Sequence, residues 1–185
     1  LKKVSLNFFW KKLYLGGHSK GGHVSIFAAI HATDYIQKRI QAVYNYDGPG
    51  IRKDLVEQDL GSFKILDRIH TFVPQESIIG RLFEHREGLI IVHSTARNVY
   101  QHDIYSWQIE GNKLVRSKTT KRSNIINRAI NQWIQNASRE EIKIFINGMF
   151  EIFSSVNLNN PIELMREWKH FGPKILKEFI NTPKE

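Results

Sequence analysis

Short apolar runs alternate with helix-spaced segments through the first half of the chain. Lys12-Leu13-Tyr14-Leu15 predicts a strand that stops at Gly16-Gly17, and the spacing of Val24, Phe27, Ala28 and Ala29 predicts a helix from Gly22 to Ile30. Gln41 to Tyr46 reads as a second strand, closed by the turn cluster Asp47-Gly48-Pro49-Gly50. Residues 56–66 are weakly helical. Arg68 to Val73 reads as a third strand, halted by Pro74. Gly88 to His93 encloses the unbroken apolar run Leu89-Ile90-Ile91-Val92, which suits a strand buried on both faces. Strands alternating with helices predict an α/β fold with a mostly parallel sheet. Gly111-Asn112, flanked by Trp107–Glu110 and Lys113–Arg116, predicts a short hairpin.

The second half is helical throughout. Ser123 can cap a helix that runs to Asn136 with Ile126, Ile130 and Trp133 on one face. Ser138 with Glu141 forms a capping box that opens a helix through Ile142, Phe145, Ile146, Met149 and Phe153. Asn160-Pro161 starts a further helix, which Gly172-Pro173 ends before a last short one. The expected organisation is an α/β core over residues 1–122 and a helical C-terminal segment, 123–185, packed on that core. The stripes on these helices read as packing faces, not as a ligand site.

Composition narrows the class. The chain has 185 residues, 41% hydrophobic and 24% charged, a globular balance suited to one domain of ordinary size. No apolar stretch reaches the roughly 18 residues of a membrane span. The patch at Phe8-Phe9-Trp10 is too short for a signal-peptide core. Cysteine is absent, which excludes disulfides, thiolate metal sites and a cysteine nucleophile and makes a cytoplasmic location the default. The net charge is +9. Between Gly111 and Arg139 stand seven basic residues (Lys113, Arg116, Lys118, Lys121, Arg122, Arg128 and Arg139) and no acidic one. Such a stripe is ordinarily a solvated face, although it suits an anionic partner; no specific nucleic-acid motif accompanies it.

Gly17-His18-Ser19-Lys20-Gly21 is a G-x-S-x-G between a predicted strand and a predicted helix. That setting is the one a nucleophile elbow requires. Glycines two positions either side of the serine avoid collisions across a strained turn. The turn lifts the hydroxyl to a helix N-terminus, where free N–H groups favour developing negative charge. The Lys20 backbone N–H is the expected oxyanion-hole donor. Gly22 allows close helix–strand packing. The competing reading, a phosphate-binding loop, needs G-x-x-x-x-G-K-[ST], which Gly16 to Gly22 does not supply.

A serine hydroxyl needs a base. In this arrangement the acid and then the histidine follow the serine in the chain. Glu76, after the third strand in Pro74-Gln75-Glu76-Ser77, is the favoured acid; Asp47, after the second strand, is the alternative. His102, in the loop after the fourth strand, is the favoured general base, and His93 at the end of that strand is the alternative. His18 is expected to pack or hydrogen-bond away from the hydroxyl. No metal-ligand spacing stands out, and no metal or cofactor is expected.

Taken together, Gly17-His18-Ser19-Lys20-Gly21-Gly22, Tyr46-Asp47-Gly48-Pro49-Gly50, Val73-Pro74-Gln75-Glu76-Ser77-Ile78-Ile79-Gly80, His93-Ser94 and Gln101-His102-Asp103-Ile104-Tyr105-Ser106-Trp107 occur in an order that resembles the bacterial Mbeg1-like family, a lipase-like branch of the α/β-hydrolases. The resemblance runs from about Leu13 to about Ser155. It implies an α/β-hydrolase-type sheet with Ser19, Glu76 and His102 as a triad, and it implies no particular substrate. One departure stands out: only about a dozen residues precede the elbow strand. The expectation is therefore a sheet lacking its N-terminal strands and a second oxyanion donor. Such a chain would be a weak catalyst, a homodimer through the bared edge, or a part completed by a preceding region or another chain.

Two functions follow as expectations. The first is a serine esterase acting on small-molecule or lipid carboxylic esters through an acyl-enzyme. The second is a non-catalytic module of the same fold that offers its basic surface to an anionic partner.

Overall fold

The computed structural model describes residues 10–52 and 60–154. The chain divides into two compact units, Leu1–Thr120 and Lys121–Glu185.

In the first unit, strands β1 (Leu13–His18), β2 (Ile40–Tyr46), β3 (Ile69–Pro74) and β4 (Leu89–Val92) form a four-stranded sheet in that spatial order. All three pairings are parallel. Helix α1 (Lys20–Ile30) and the single-turn helix α2 (Asp34–Gln37) join β1 to β2. A 3₁₀ segment, Leu60–Arg68, leads into β3 and takes the place of the weak helix expected over 56–66; residues 53–59 lie outside those described. Strand β1 runs three residues further than its composition suggests, through Gly16-Gly17 to His18. The parallel register with Tyr44 and Asn45 holds those glycines extended.

The sheet has two unlike faces because strand residues alternate. On one face Leu13, Val43 and Ile69 join Ile26, Ala29 and Ile30 of α1, with Ile36, Ile40, Ile51 and Ile65, in a single apolar cluster. Burying each such isoleucine contributes about 1.5–3 kcal/mol. On the other face aromatic rings line up across strands. Tyr44 stacks on His70 at 5.5 Å and Tyr46 on Phe72 at 5.4 Å. The Arg116 guanidinium lies 5.9 Å from the Phe72 ring centroid.

Strand β4 departs from expectation. Leu89, Ile90 and Ile91 are half-buried and only Val92 is fully enclosed. The cause is position: β4 is the outermost strand on its side. The chain past the predicted hairpin, β5 (Ile109–Glu110) and β6 (Lys113–Leu114), returns along it, with Ser117 N–H donating to Ile91 O and His93 N–H to Val115 O. Gly111, at φ 61°, supplies the left-handed residue the hairpin turn demands.

In the second unit, α3 (Lys121–Asn136) and α4 (Arg139–Ser154) follow each other directly. Ser123 is not the cap of α3. The helix begins two residues earlier, at Lys121, and Ser123 is buried inside its first turn. The capping box of α4 is present: Glu141 N–H donates to Ser138 Oγ and Ser138 N–H to Glu141 Oε2. Trp133 and Phe145 meet edge to face at 5.1 Å. The helices expected from Asn160 and Pro173 lie outside the described residues.

Candidate active site

The carboxyl ends of β1, β2 and β3 deliver three turns to one place. The first is the elbow. Ser19 sits between β1 and α1 with φ 56° and ψ −125°. A non-glycine residue there costs on the order of 1–3 kcal/mol and persists only when its surroundings impose it. They do so through the glycines. A Cβ on Gly17 would run into the backbone of Gly21 and Gly22, and one on Gly22 into the Asn45 amide. A Cβ on Gly21 would meet nothing within 4 Å, so the collision expected on both sides of the serine occurs on one. Ser19 N–H donates to Tyr46 O at 2.9 Å and anchors the elbow to the end of β2. Lys20, next in the chain, opens α1, so its N–H is among the free donors of that helix end.

The second turn carries Asp47, which is 1% exposed and also left-handed, at φ 51°. Asn45 builds this turn. Its Oδ1 accepts from Gly48 N–H at 2.9 Å and its Nδ2 donates to Gly48 O at 2.8 Å. Asp47 N–H donates to Phe72 O.

The third turn is Pro74-Gln75-Glu76-Ser77, where each polar side chain ties down a different piece of chain. Gln75 donates to Ser94 O and accepts from Ser94 N–H. Glu76 Oε2 accepts from Asn98 N–H at 3.1 Å and from Gln101 Nε2 at 3.3 Å. Ser77 Oγ accepts from Gly80 N–H at 3.0 Å, which commits its own proton to Asp47 Oδ1 at 2.5 Å.

His102 closes the arrangement. It ends the 3₁₀ segment Asn98–His102, and it is 8% exposed. Its Nδ1 lies 2.7 Å from Asp47 Oδ2. A carboxylate only accepts, so this partner assigns the proton to Nδ1 and makes Nε2 the unprotonated nitrogen. The ring also lies 4.5 Å from that of His18, the residue before Ser19, and His18 Nε2 bonds to His102 O at 2.7 Å.

The favoured histidine and the alternative acid are thus the bonded pair. Glu76, the acid favoured on chain order, is bonded to Asn98 and Gln101 and braces the segment that presents His102. His93, the alternative base, is held by its main chain to Val115 and Gln108. His18 packs and hydrogen-bonds as expected. Sequence reasoning missed Ser77 and Asn45. The hydroxyl beside Glu76 and the N-x-D-G pattern of Asn45 to Gly48 were the available signals.

Among the described residues, no group of three or more His, Asp or Glu side chains could hold a metal ion, and no helix is long and apolar enough to cross a membrane.

A second pair with buried side chains, His85 and Glu87, lies in the loop before β4. Glu87 Oε1 accepts from Thr71 Oγ1 at 2.5 Å and meets His85 Nδ1 at 2.9 Å. Thr71 Oγ1 in turn accepts weakly from Asn45 Nδ2 at 3.4 Å, which connects this pair to the Asp47 turn. Burial pushes the Glu87 carboxyl upward, but the bonds from His85 and Thr71 together outweigh it and hold the group below the ordinary glutamate value.

No curated protein matches the chain, and no solved structure does. The family model for Mbeg1-like proteins matches residues 1–151. That match covers most of the chain, which is a member of the Mbeg1-like family.

Proposed function

We propose that this protein is a serine hydrolase that cleaves carboxylic esters, lipid or acyl esters included. Ser19 Oγ attacks the ester carbonyl while His102 Nε2 takes the hydroxyl proton. Asp47, bonded to Nδ1, holds the ring in the tautomer that leaves Nε2 basic and stabilises the imidazolium that forms. The Lys20 N–H at the start of α1 faces the developing oxyanion. Collapse of the tetrahedral intermediate expels the alcohol, which receives the proton from His102. Water, activated by the same nitrogen, then frees the acid from Ser19.

The observation that carries this reading is the 2.7 Å bond between His102 and a 1%-exposed Asp47, formed beside a serine held at positive φ. Buried carboxylates are costly, and this one is oriented by donors on both of its oxygens. Asp47 therefore replaces Glu76 in the proposed triad, and Glu76 becomes a brace for the histidine loop.

A fluorophosphonate reagent tests the proposal. The expected result is stoichiometric labelling of the chain at Ser19, absent in Ser19→Ala. Equal labelling of Ser19→Ala, or none of the parent chain, overturns it.

A further inference from the structure

His18 occupies an unusual place. It is the last residue of β1 and the residue before the elbow serine, so its main chain is fixed by the parallel pairing of His18 with Tyr46. Its side chain reaches across to a residue 84 positions away in sequence. There Nε2 meets the backbone carbonyl of His102 at 2.7 Å, and the two rings pack at 4.5 Å with a 38° tilt. A carbonyl oxygen only accepts, so Nε2 is the protonated nitrogen of His18.

The rest of the His102 segment is tied to the end of β3 and to the hairpin. Glu76 holds Asn98 and Gln101, and Trp107 Nε1 donates to Gln101 O at 2.8 Å. Asp47 holds the His102 ring from β2. His18 alone among these joins the segment to the strand that carries the nucleophile.

We propose that His18 is a positioning residue that sets the general base against the nucleophile by hydrogen-bonding the main chain of His102. This rests on the hydrolase reading above. The same stroke of chain that presents Ser19 presents the donor, so any shift of β1 moves both together. The spacing of hydroxyl and imidazole then has a direct tie to the nucleophile strand, beside the holds from Asp47 and Glu76, and small errors in such a spacing are costly in rate.

The charge state of His18 suits this task. Although the residue is exposed overall, partial desolvation of the ring and then its closeness to His102 hold it below the ordinary imidazole value, against the opposing pull of its bond to His102 O and of Asp47 and Asp103. The lowered value favours a neutral His18 ring beside the imidazolium that forms when His102 takes up the serine proton.

Two variants of the full chain separate positioning from packing. His18→Gln keeps an N–H donor at a comparable reach. His18→Phe keeps a flat ring and removes the donor. With a short-chain nitrophenyl ester and the fluorophosphonate reagent, His18→Phe is expected to lose about tenfold or more in kcat and in labelling rate with KM changed less than about threefold, and His18→Gln to recover most of that loss. Amide hydrogen exchange across 98–102 is expected to quicken in His18→Phe and not in His18→Gln. A His18→Phe chain that labels at the parental rate, or whose 98–102 amides exchange at the parental rate, overturns the positioning role and leaves the hydrolase reading intact. Labelling that survives Ser19→Ala overturns the hydrolase reading instead, and the exchange measurement then still decides whether His18 holds the segment.

Discussion

Asp47 divides its two carboxylate oxygens between two hydroxyl- and imidazole-bearing elements: Oδ1 accepts from Ser77 and Oδ2 meets His102 Nδ1. Neither oxygen is left to solvent, since Asp47 is 1% exposed. The division fixes the aspartate between the Ser77 hydroxyl and the His102 ring.

Replacing Asp47 by Asn preserves shape but offers an amide where His102 needs an acceptor that cannot donate. The expected outcome is a fall of about 10³–10⁴ in ester turnover, the size seen when a triad histidine is held in the wrong tautomer. Glu76→Gln keeps an acceptor toward Asn98 and Gln101, so turnover should stay within about tenfold of the parent. Steady-state hydrolysis of a nitrophenyl ester checks both. A larger loss in Glu76→Gln than in Asp47→Asn would return Glu76 to the triad.

Ser77→Ala removes the donor to a buried carboxylate oxygen and the acceptor of Gly80 N–H. The cost in stability should be about 1–3 kcal/mol. Gly80→Ala should be worse than a surface substitution for a related reason, because its Cβ would press on Asp47 Oδ1 and Val73. Urea denaturation of each variant, compared with the parent, measures the two effects.

The glycines of the elbow should not behave alike. Gly22→Ala drives a methyl into the Asn45 amide at the base of the Asp47 turn, and a loss of about 1–3 kcal/mol is expected. Gly21→Ala has open space and a helical backbone, and should be neutral or stabilise by up to about 1 kcal/mol. Thermal unfolding of the pair decides this, and a Gly21→Ala as damaging as Gly22→Ala contradicts it.

Glu87 gives the fold an acid-sensitive component. Its carboxyl titrates below the ordinary glutamate value in the folded chain. A depressed carboxylate contributes stability that is present above the unfolded value and lost as the pH falls through the folded one. The stability gap between the parent and Glu87→Gln should thus be widest near neutrality and shrink below the ordinary glutamate range. Denaturation midpoints for both chains across that range provide the check.

The fold was legible in the chain because its apolar runs and glycine clusters have short-range causes. The elbow, the four strands, the capping box of α4 and the hairpin at Gly111 each follow from residues adjacent in sequence. The pairing of Asp47 with His102 does not. It spans 55 positions, and chain order alone allowed either carboxylate. What decides between them is that β2 ends beside the elbow while Glu76 is drawn toward Asn98 and Gln101, a matter of which turn faces which. Ser123 illustrates a smaller limit: a good capping residue also fits inside a first turn when the preceding basic residues continue the helix. Strand β4 shows a third, since an all-apolar run does not reveal whether a further strand lies beyond it.

The pair of hydrogen bonds between the Asn45 amide and the two main-chain groups of Gly48 has an implication for reading other chains of this family. A side chain at that place must offer an acceptor and a donor at once, at one length, and among the natural residues of that size only asparagine does so. Aspartate would keep the acceptor for Gly48 N–H but set its second oxygen against the Gly48 carbonyl, and serine would fall short of one contact. If the proposed hydrolase reading holds, an asparagine two places ahead of the aspartate is expected to accompany the serine pentapeptide in chains that seat an acid in the same way.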